Sequence, residues 1–468
     1  MKKRLILSAV AAAALSVSVF SGCFLTKVSV TSIEKTGSSG LEDYYTVTYS
    51  DGSTSGFTVT NGRDGADAQQ ITVEDVYETF KEIYGDELTY KQFCEKFLSV
   101  YAQSNDALNS CLRSCLKVYT VFYERKADAY HRYGVYETAY CGSSVVYKMD
   151  EDYTYMLTNY HVIYDENGVS GYGNGNFPTK IWAYLYGSES SPVQDETTYE
   201  HTVTDDYAIT CEYVGGSVEY DVAVIKAKTE DVLKVNPQVT PVNISYNYNV
   251  GDNTYAIGNP DNGGISVTEG IVSVDSEYIT LKIDGTTRYY RSIRTDTALT
   301  NGSSGGGLFN MNGELIGLNN AGDSDITSMN YAIPATALTG IADGVIYYNQ
   351  VNGAKTTKKA LIGIQSQSVN SRYVYDASTG SGVIREDVKV TSVSSGSIAE
   401  ALGIKVGDIL TSVTLNGEKT DISRQFQISD LLLNAREGNS IKLGYTRGGE
   451  AYETEEFFVR ASDMSDIK

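Results

Sequence analysis

Thr295-Asp-Thr-Ala-Leu-Thr-Asn-Gly-Ser-Ser-Gly-Gly-Gly-Leu308 sets Gly302, Gly305, Gly306 and Gly307 around one central residue, Ser304. Glycine reaches positive φ and lacks a Cβ, so backbone of this composition can close around a hydroxyl and approach a bound molecule. The amides of Gly302, Ser303 and Ser304 would then be available to hold an oxyanion, as acyl-transfer chemistry requires. The same composition also makes ordinary turns and flexible loops. Ser304 becomes a candidate nucleophile only if the chain supplies a base and an orienting acid.

The search for a base is short, because the chain has only three histidines, His131, His161 and His201. His161 ends the β-rich run Tyr153-Thr-Tyr-Met-Leu-Thr-Asn-Tyr-His. His131 lies in a charged stretch and His201 follows Tyr199-Glu with no nucleophile pattern nearby, so both read as surface residues. Asp221 stands immediately before Val-Ala-Val-Ile, where a carboxylate is buried at the start of a strand and can orient an imidazole. The order His161, Asp221, Ser304 is that of chymotrypsin-fold hydrolases, not of α/β-hydrolases or subtilisins.

Six ordered segments make the likeness specific. Thr158-Asn-Tyr-His-Val, Asp221-Val-Ala-Val-Ile-Lys, Gly251-Asp-Asn-Thr-Tyr-Ala-Ile-Gly-Asn-Pro, Val267-Thr-Glu-Gly-Ile-Val-Ser, the Thr295–Leu308 stretch and Asn330-Tyr-Ala-Ile-Pro together resemble HtrA-like trypsin-fold serine proteases. The resemblance covers about residues 131 to 348. It departs from the family pattern at Thr300-Asn301, where the family has Asn-Pro, and at Gly307, where the family has proline. Neither position carries a catalytic atom.

That resemblance implies a double β-barrel with a cleft between its halves, His161 as general base, Asp221 as its orienter and Ser304 as nucleophile. Gly302, Ser303 and Ser304 would supply the oxyanion amides. Ala298, six residues before the nucleophile, would form the base of the specificity pocket and select small or medium aliphatic side chains. Leu361-Ile-Gly-Ile, Val388-Lys-Val-Thr-Ser-Val, Gly396-Ser-Ile-Ala-Glu-Ala-Leu-Gly-Ile-Lys-Val-Gly-Asp-Ile-Leu and the helix-like Ser429–Arg436 segment resemble a PDZ domain of the HtrA type. In such a domain Leu361, Ile362, Gly363 and Ile364 would line the loop that captures an apolar C-terminus by strand addition. HtrA-like relatives often form trimers, so a homo-oligomer is also implied.

Lys2, Lys3 and Arg4 precede a largely apolar run from Leu5 to Phe20, the pattern of a secretory signal and too short for a membrane span of about 20 residues. The run ends in Phe20-Ser-Gly-Cys23, which resembles a bacterial lipobox and makes Cys23 the lipidated residue. An uncleaved signal anchor is the alternative, and both leave the protein tethered on the outer face of the membrane. The chain carries 37 basic and 59 acidic residues, and without Lys2, Lys3 and Arg4 the balance is 34 against 59, or −25. That charge disfavours nucleic-acid binding. Cys94, Cys111, Cys115, Cys141 and Cys211 are an odd number, so one thiol stays unpaired in a monomer. No zinc or phosphate-loop motif is present, and neither metal nor cofactor is expected.

The expected fold is mainly β, with five segments. Residues 1–22 form a lipoprotein signal peptide and 23–66 a spacer with a small hairpin. Residues 67–130 form a helical region read from spacings such as Val76, Phe80, Tyr84. A trypsin-like protease domain spans 131–350 and a PDZ domain 358–468, joined by a polar linker around Asn352–Lys359 that suggests independent units. Asp165 to Glu200, rich in Gly, Asn, Ser and Tyr, reads as an insertion beside the cleft or a neutral surface excursion. The expected function is a lipid-anchored extracytoplasmic serine endopeptidase acting on unfolded or misfolded polypeptides. The alternative is a tethered binding protein or holdase with an inactive protease shell.

Overall fold

The computed structural model describes residues 30–39, 42–50, 52–60, 77–81, 99–127, 133–322, 326, 328–376 and 381–468. The signal sequence, Cys23, Cys94 and His131 lie outside the described residues. The chain divides into two compact units, 1–99 and 100–468. In the first, β1 (Val30–Ser39), β2 (Glu42–Tyr49) and β3 (Thr54–Thr60) form an antiparallel meander. The hairpin expected around Asp51 joins β2 to β3, and β1 adds a third strand.

The second unit opens with α1 (Ser99–Arg113) and continues into β4 (Cys115–Ala127) and β5 (Tyr133–Met149). The helical reading of 67–130 agrees with residues 77–81 and with α1 and is corrected from Cys115 on, because Cys115-Leu-Lys-Val-Tyr-Thr-Val-Phe is a central strand buried on both faces. Both-face burial makes the apolar run nearly continuous, which hides its period of two. β4 therefore starts the first barrel ahead of residue 131. It is followed by β6 (Tyr153–Thr158), the single turn α2 (Tyr160–Ile163), β7 (Lys180–Leu185), the short ribbon β8 (Val193–Gln194) and β9 (His201–Thr202), β10 (Ile209–Thr210), β11 (Glu212–Ser217) and β12 (Val222–Lys228). The sheet order is β10-β7-β4-β5-β6-β12-β11.

After α3 (Thr229–Val235) the chain builds a second sheet from β13 (Asn243–Ile244), β14 (Asn253–Gly258), β15 (Ser266–Ile283), β16 (Thr286–Thr295), β17 (Gly307–Asn310), β18 (Glu314–Gly322) and β19 (Asn330–Pro334). Its order is β13-β18-β17-β14-β15-β16-β19, and the further pairing of β18 with β19 closes it into a ring. Alternation along β12 shows how the two barrels share their cores. Ala223 and Ile225 point into the first barrel, whereas Val222 and Val224 join Ile257, Phe309, Leu315 and Leu318 in the layer between the sheets. The second barrel's own interior holds Val272, Ile293, Leu308 and Ile316.

α4 (Ala335–Asn352) leaves β19 and lies on this shared layer through Leu338, Ile341 and Val345. The C-terminal part comprises β20 (Thr357–Ala360), β21 (Ile364–Asp376), β22 (Ser381–Val393), the turn of helix α5 (Ile398–Ala401), β23 (Ile409–Leu415), β24 (Glu418–Asp421), α6 (Gln425–Leu433), β25 (Ser440–Arg447), β26 (Glu450–Glu453), β27 (Phe457–Phe458) and β28 (Met464–Ile467). β21 is the edge of its sheet, and β20 pairs with β28.

The linker around 352–359 does not separate independent bodies. Leu433 of α6 and Ile467 of β28 are buried in the layer that α4 shares with the barrels. α6 also approaches α4 so closely that a Cβ on Gly340 would stand 2.7 Å from the Leu433 Cβ. Buried Asp430 accepts from Thr336 Oγ1 at 2.6 Å and pairs with Arg291 of β16. A polar sequence at the junction concealed this contact because its apolar half lies some 75 residues downstream, at Leu433. Leu433→Ala is expected to destabilise the whole 100–468 unit by about 2–5 kcal/mol, read as a lowered urea midpoint of one cooperative transition. An unchanged midpoint would contradict the shared core.

Candidate active site

Antiparallel pairing of β6 with β12 sets Thr158 opposite Ala223, so the residues just beyond each strand end meet. There Asn159 and Tyr160 both grip the Asp221 carbonyl, Asn159 through its side-chain amide at 3.0 Å and Tyr160 through its backbone amide at 3.2 Å. Asp221 adopts φ 54°, a left-handed conformation costly for a non-glycine residue and typical of functional sites. The strain turns its carboxylate back onto α2. Oδ1 accepts from the His161 amide at 2.9 Å and Oδ2 lies 2.7 Å from His161 Nδ1.

The Asp221 side chain is fully buried while that of His161 stays 33% exposed, so one imidazole face remains open. Burial alone would lower the His161 pKa, but the carboxylate of Asp221 and its hydrogen bond outweigh this and raise it above 6.5. His161 and Asp221 are thus a pre-formed pair, with Nδ1 occupied and Nε2 left for other work.

Ser304 reaches the same place from the second barrel. His161, Gly302 and Ser304 line one open cavity of about 460 Å³, together with Tyr140, Tyr164 and Asn301. Ser304 Oγ donates to the Asn320 carbonyl at 3.1 Å. The loop that carries it is held by Ser143 of β5, whose amide donates to Ser304 O at 2.8 Å and whose hydroxyl donates to Gly302 O at 2.7 Å. The same hydroxyl accepts from the Asn259 amide at 2.8 Å. Gly305 lies against this anchor at φ 86°, and a Cβ there would meet Ser143 O at 2.2 Å, so the position requires glycine.

The amides of Gly302 and Ser304, which flank the bonded amide of Ser303, have no acceptor among the described residues. Peptide planarity explains their direction, because each amide points opposite to the carbonyl of its own peptide. Asn301 O is taken by the Asp261 amide at 2.6 Å and Ser303 O by the Gly306 amide at 3.0 Å, which turns the Gly302 and Ser304 amides the other way. Ser303 is a correction to the expected oxyanion set. Its amide donates to Thr300 O at 3.0 Å, closing a turn, and cannot also hold a ligand.

Other expected residues lie elsewhere. Ala298 is exposed, its carbonyl accepts from Thr268 Oγ1 at 2.9 Å, and it is not among the residues lining the cavity. His201 is not a surface residue. Its side chain is 12% exposed beside buried Glu137, which also pairs with Lys180 at 2.8 Å, and this cluster does not line the cavity. Leu361 is exposed and Ile362 is buried in the C-terminal core, so only the backbone of Ile362 could meet a peptide. The amide of Leu361 donates to Asp463 O, whereas those of Ile362 and Gly363 have no acceptor among the described residues. Ile364 opens β21 opposite Val393. No set of three His, Cys, Asp or Glu side chains placed for a metal occurs among the described residues.

Residues 142–318 match the family model described as a trypsin-like peptidase domain. The chain is similar to the Haemophilus influenzae protein named "Probable periplasmic serine protease do/HhoA-like", 34% identical over 47% of this chain and 44% of that one. It is similar to periplasmic serine endoprotease DegP of Salmonella typhimurium, 30% identical over 60% of this chain and 57% of the relative. The serine protease Do-like HtrA of Lactococcus lactis is 26% identical over 66% of this chain and 68% of its own length. The chain thus spans about half the length of the first two relatives. It contains a trypsin-like peptidase domain and is homologous to HtrA/DegP-type serine proteases.

The buried pair has a titration signature. Because the folded-state pKa of His161 is raised, the pair's contribution to stability is complete below the unfolded value of about 6.5 and is lost as pH rises through the folded value. The imidazole resonances of His161 are expected to titrate with a midpoint above 6.5, and Asp221→Asn to move that midpoint down. A midpoint at or below 6.5 in the wild-type protein would contradict the pairing.

Proposed function

We propose that this chain is a serine endopeptidase in which His161 acts as general base, Asp221 orients it and Ser304 attacks the scissile carbonyl. The observation that carries the proposal is the convergence of the buried Asp221–His161 pair with Ser304 in one cavity, beside two amides that have no internal acceptor. For attack the Ser304 hydroxyl exchanges Asn320 O for the imidazole, an adjustment usual between free and substrate-bound enzymes. His161 Nε2 removes the hydroxyl proton as Oγ bonds to the carbonyl carbon. The developing oxyanion is held by the amides of Gly302 and Ser304. The imidazolium, stabilised by Asp221, then gives its proton to the leaving amine, and water releases the acyl group by the same sequence in reverse.

The further elements of the proposal are a lipid anchor at Cys23 that holds the enzyme outside the cytoplasm and substrates that are unfolded polypeptides. Residues 361–468 would act as a PDZ domain that captures apolar C-termini along β21, an edge strand with α6 beside it. The unpaired amides of Ile362 and Gly363 suit a terminal carboxylate. Gln425 Nε2 of α6 donates to Ser366 O at 2.6 Å, so an added strand has to replace that bond.

Ser304→Ala is expected to fold normally and to lose casein hydrolysis by up to about six orders of magnitude in kcat. Casein cleavage at the wild-type rate by purified Ser304→Ala protein would overturn the assignment. Absence of cleavage by the wild-type protein would leave the tethered binding protein as the better reading.

A further inference from the structure

The cavity beside Ser304 extends toward the segment that follows His161. In acyl transfer the leaving amine takes its proton from the imidazole, so the substrate beyond the scissile bond lies on that side. Tyr164 to Asn167, directly after α2, lines the cavity there, facing Lys282, Ile283 and Asp284 at the tip of the β15–β16 hairpin. Tyr140 and Tyr164 supply aromatic wall.

Carboxylates dominate the rim. Asp284 is neutralised by Arg288, which reaches it with two hydrogen bonds of 2.5 and 2.9 Å. Glu166 is exposed and forms no ion pair among the described residues. Asp165 Oδ1 accepts from the Asn167 amide at 2.9 Å, whereas its Oδ2 is buried without a hydrogen-bond donor. Burial and a hydrogen bond shared with Glu124, itself gripped by the Tyr140 hydroxyl at 2.6 Å, raise the Asp165 pKa and favour its neutral form. Lys282 is the one lysine or arginine among the lining residues. The exposed, unpaired carboxylate of Glu166 beside aromatic faces suits a cation on an apolar stem, with the stem against the rings and the head at the acid.

We infer that this cavity is the subsite for the leaving-group side of the substrate and that Glu166 selects a lysine or arginine side chain there. The inference rests on the protease reading. It assigns a purpose to the start of the Gly/Asn-rich 165–200 excursion, which closes on itself through Asp165 N to Asn176 O at 2.9 Å and is tied to β4 through Val169 N to Tyr123 O at 3.0 Å.

The test uses the full chain and quenched fluorescent peptides with one common acyl half, carrying Lys, Ala or Glu at each of the first three positions after the scissile bond. At low salt the best Lys peptide is expected to exceed its Glu counterpart about three- to tenfold in kcat/KM, the range expected for one or two partly exposed charge pairs. The ratio should shrink as salt is raised. Glu166→Lys is expected to collapse or invert it. Equal rates for Lys and Glu peptides, or a ratio untouched by Glu166→Lys, would overturn the subsite while leaving the protease reading in place. No cleavage of any peptide by the wild-type protein would overturn the protease reading itself.

Discussion

One serine of the first barrel holds the working loop of the second. Ser143 joins its amide to Ser304 O, its hydroxyl to Gly302 O, and accepts the Asn259 amide in return. These bonds are buried, where an unpaired polar group costs about 1–3 kcal/mol, so the loop has little freedom to settle elsewhere. The orientation of the Gly302–Ser304 backbone follows from this anchoring together with the turns at Asn301 and Ser303. An oxyanion site works by being in place before the charge develops, and fixed peptide planes provide that. Gly305 and its lack of a Cβ belong to the same constraint, since the anchor occupies the space a side chain would need.

The Asp221–His161 pair depends on a different piece of architecture, the register of β6 against β12. A shift of one residue would carry Val222 and Val224 to the wrong core and separate the two strand ends, so core packing and catalytic geometry enforce the same register. Left-handed strain at Asp221 is sustained by the two donors on its carbonyl and the two on its carboxylate. Residues that make the fold also make the site, which is why six short motifs in order carried so much of the reading.

Legibility differed by the range of the interaction. His161, Asp221 and Ser304 stood out because rare or patterned residues sit at strand ends and glycine turns, which are local signals. Ser143 did not, since a serine in Cys141-Gly-Ser-Ser has no visible partner until Gly302, 159 residues away, is brought to it. Composition does not separate Ser303 from its neighbours, because the direction of its amide depends on turn closure at Thr300. Burial of β4 on both faces erases the alternation that marks a strand, which leaves its sequence open to a helical reading. The union of α4 with α6 escaped notice because each helix is unremarkable alone, and their contact is decided by Gly340 meeting Leu433.

The most direct measurement is the rate at which a fluorophosphonate probe becomes attached to the full-length protein, with the adduct located by peptide mass mapping, in the wild type and in Ser143→Ala. Phosphonylation needs the nucleophile, the base and the oxyanion amides together, and needs no knowledge of the natural substrate. The account predicts a single adduct on Ser304 in the wild type and labelling about tenfold or more slower in Ser143→Ala, as the loop loses the hydroxyl bonds to Gly302 O and the Asn259 amide while the Ser143 amide remains. Absence of labelling at Ser304, or labelling at the same rate in both proteins, would contradict it.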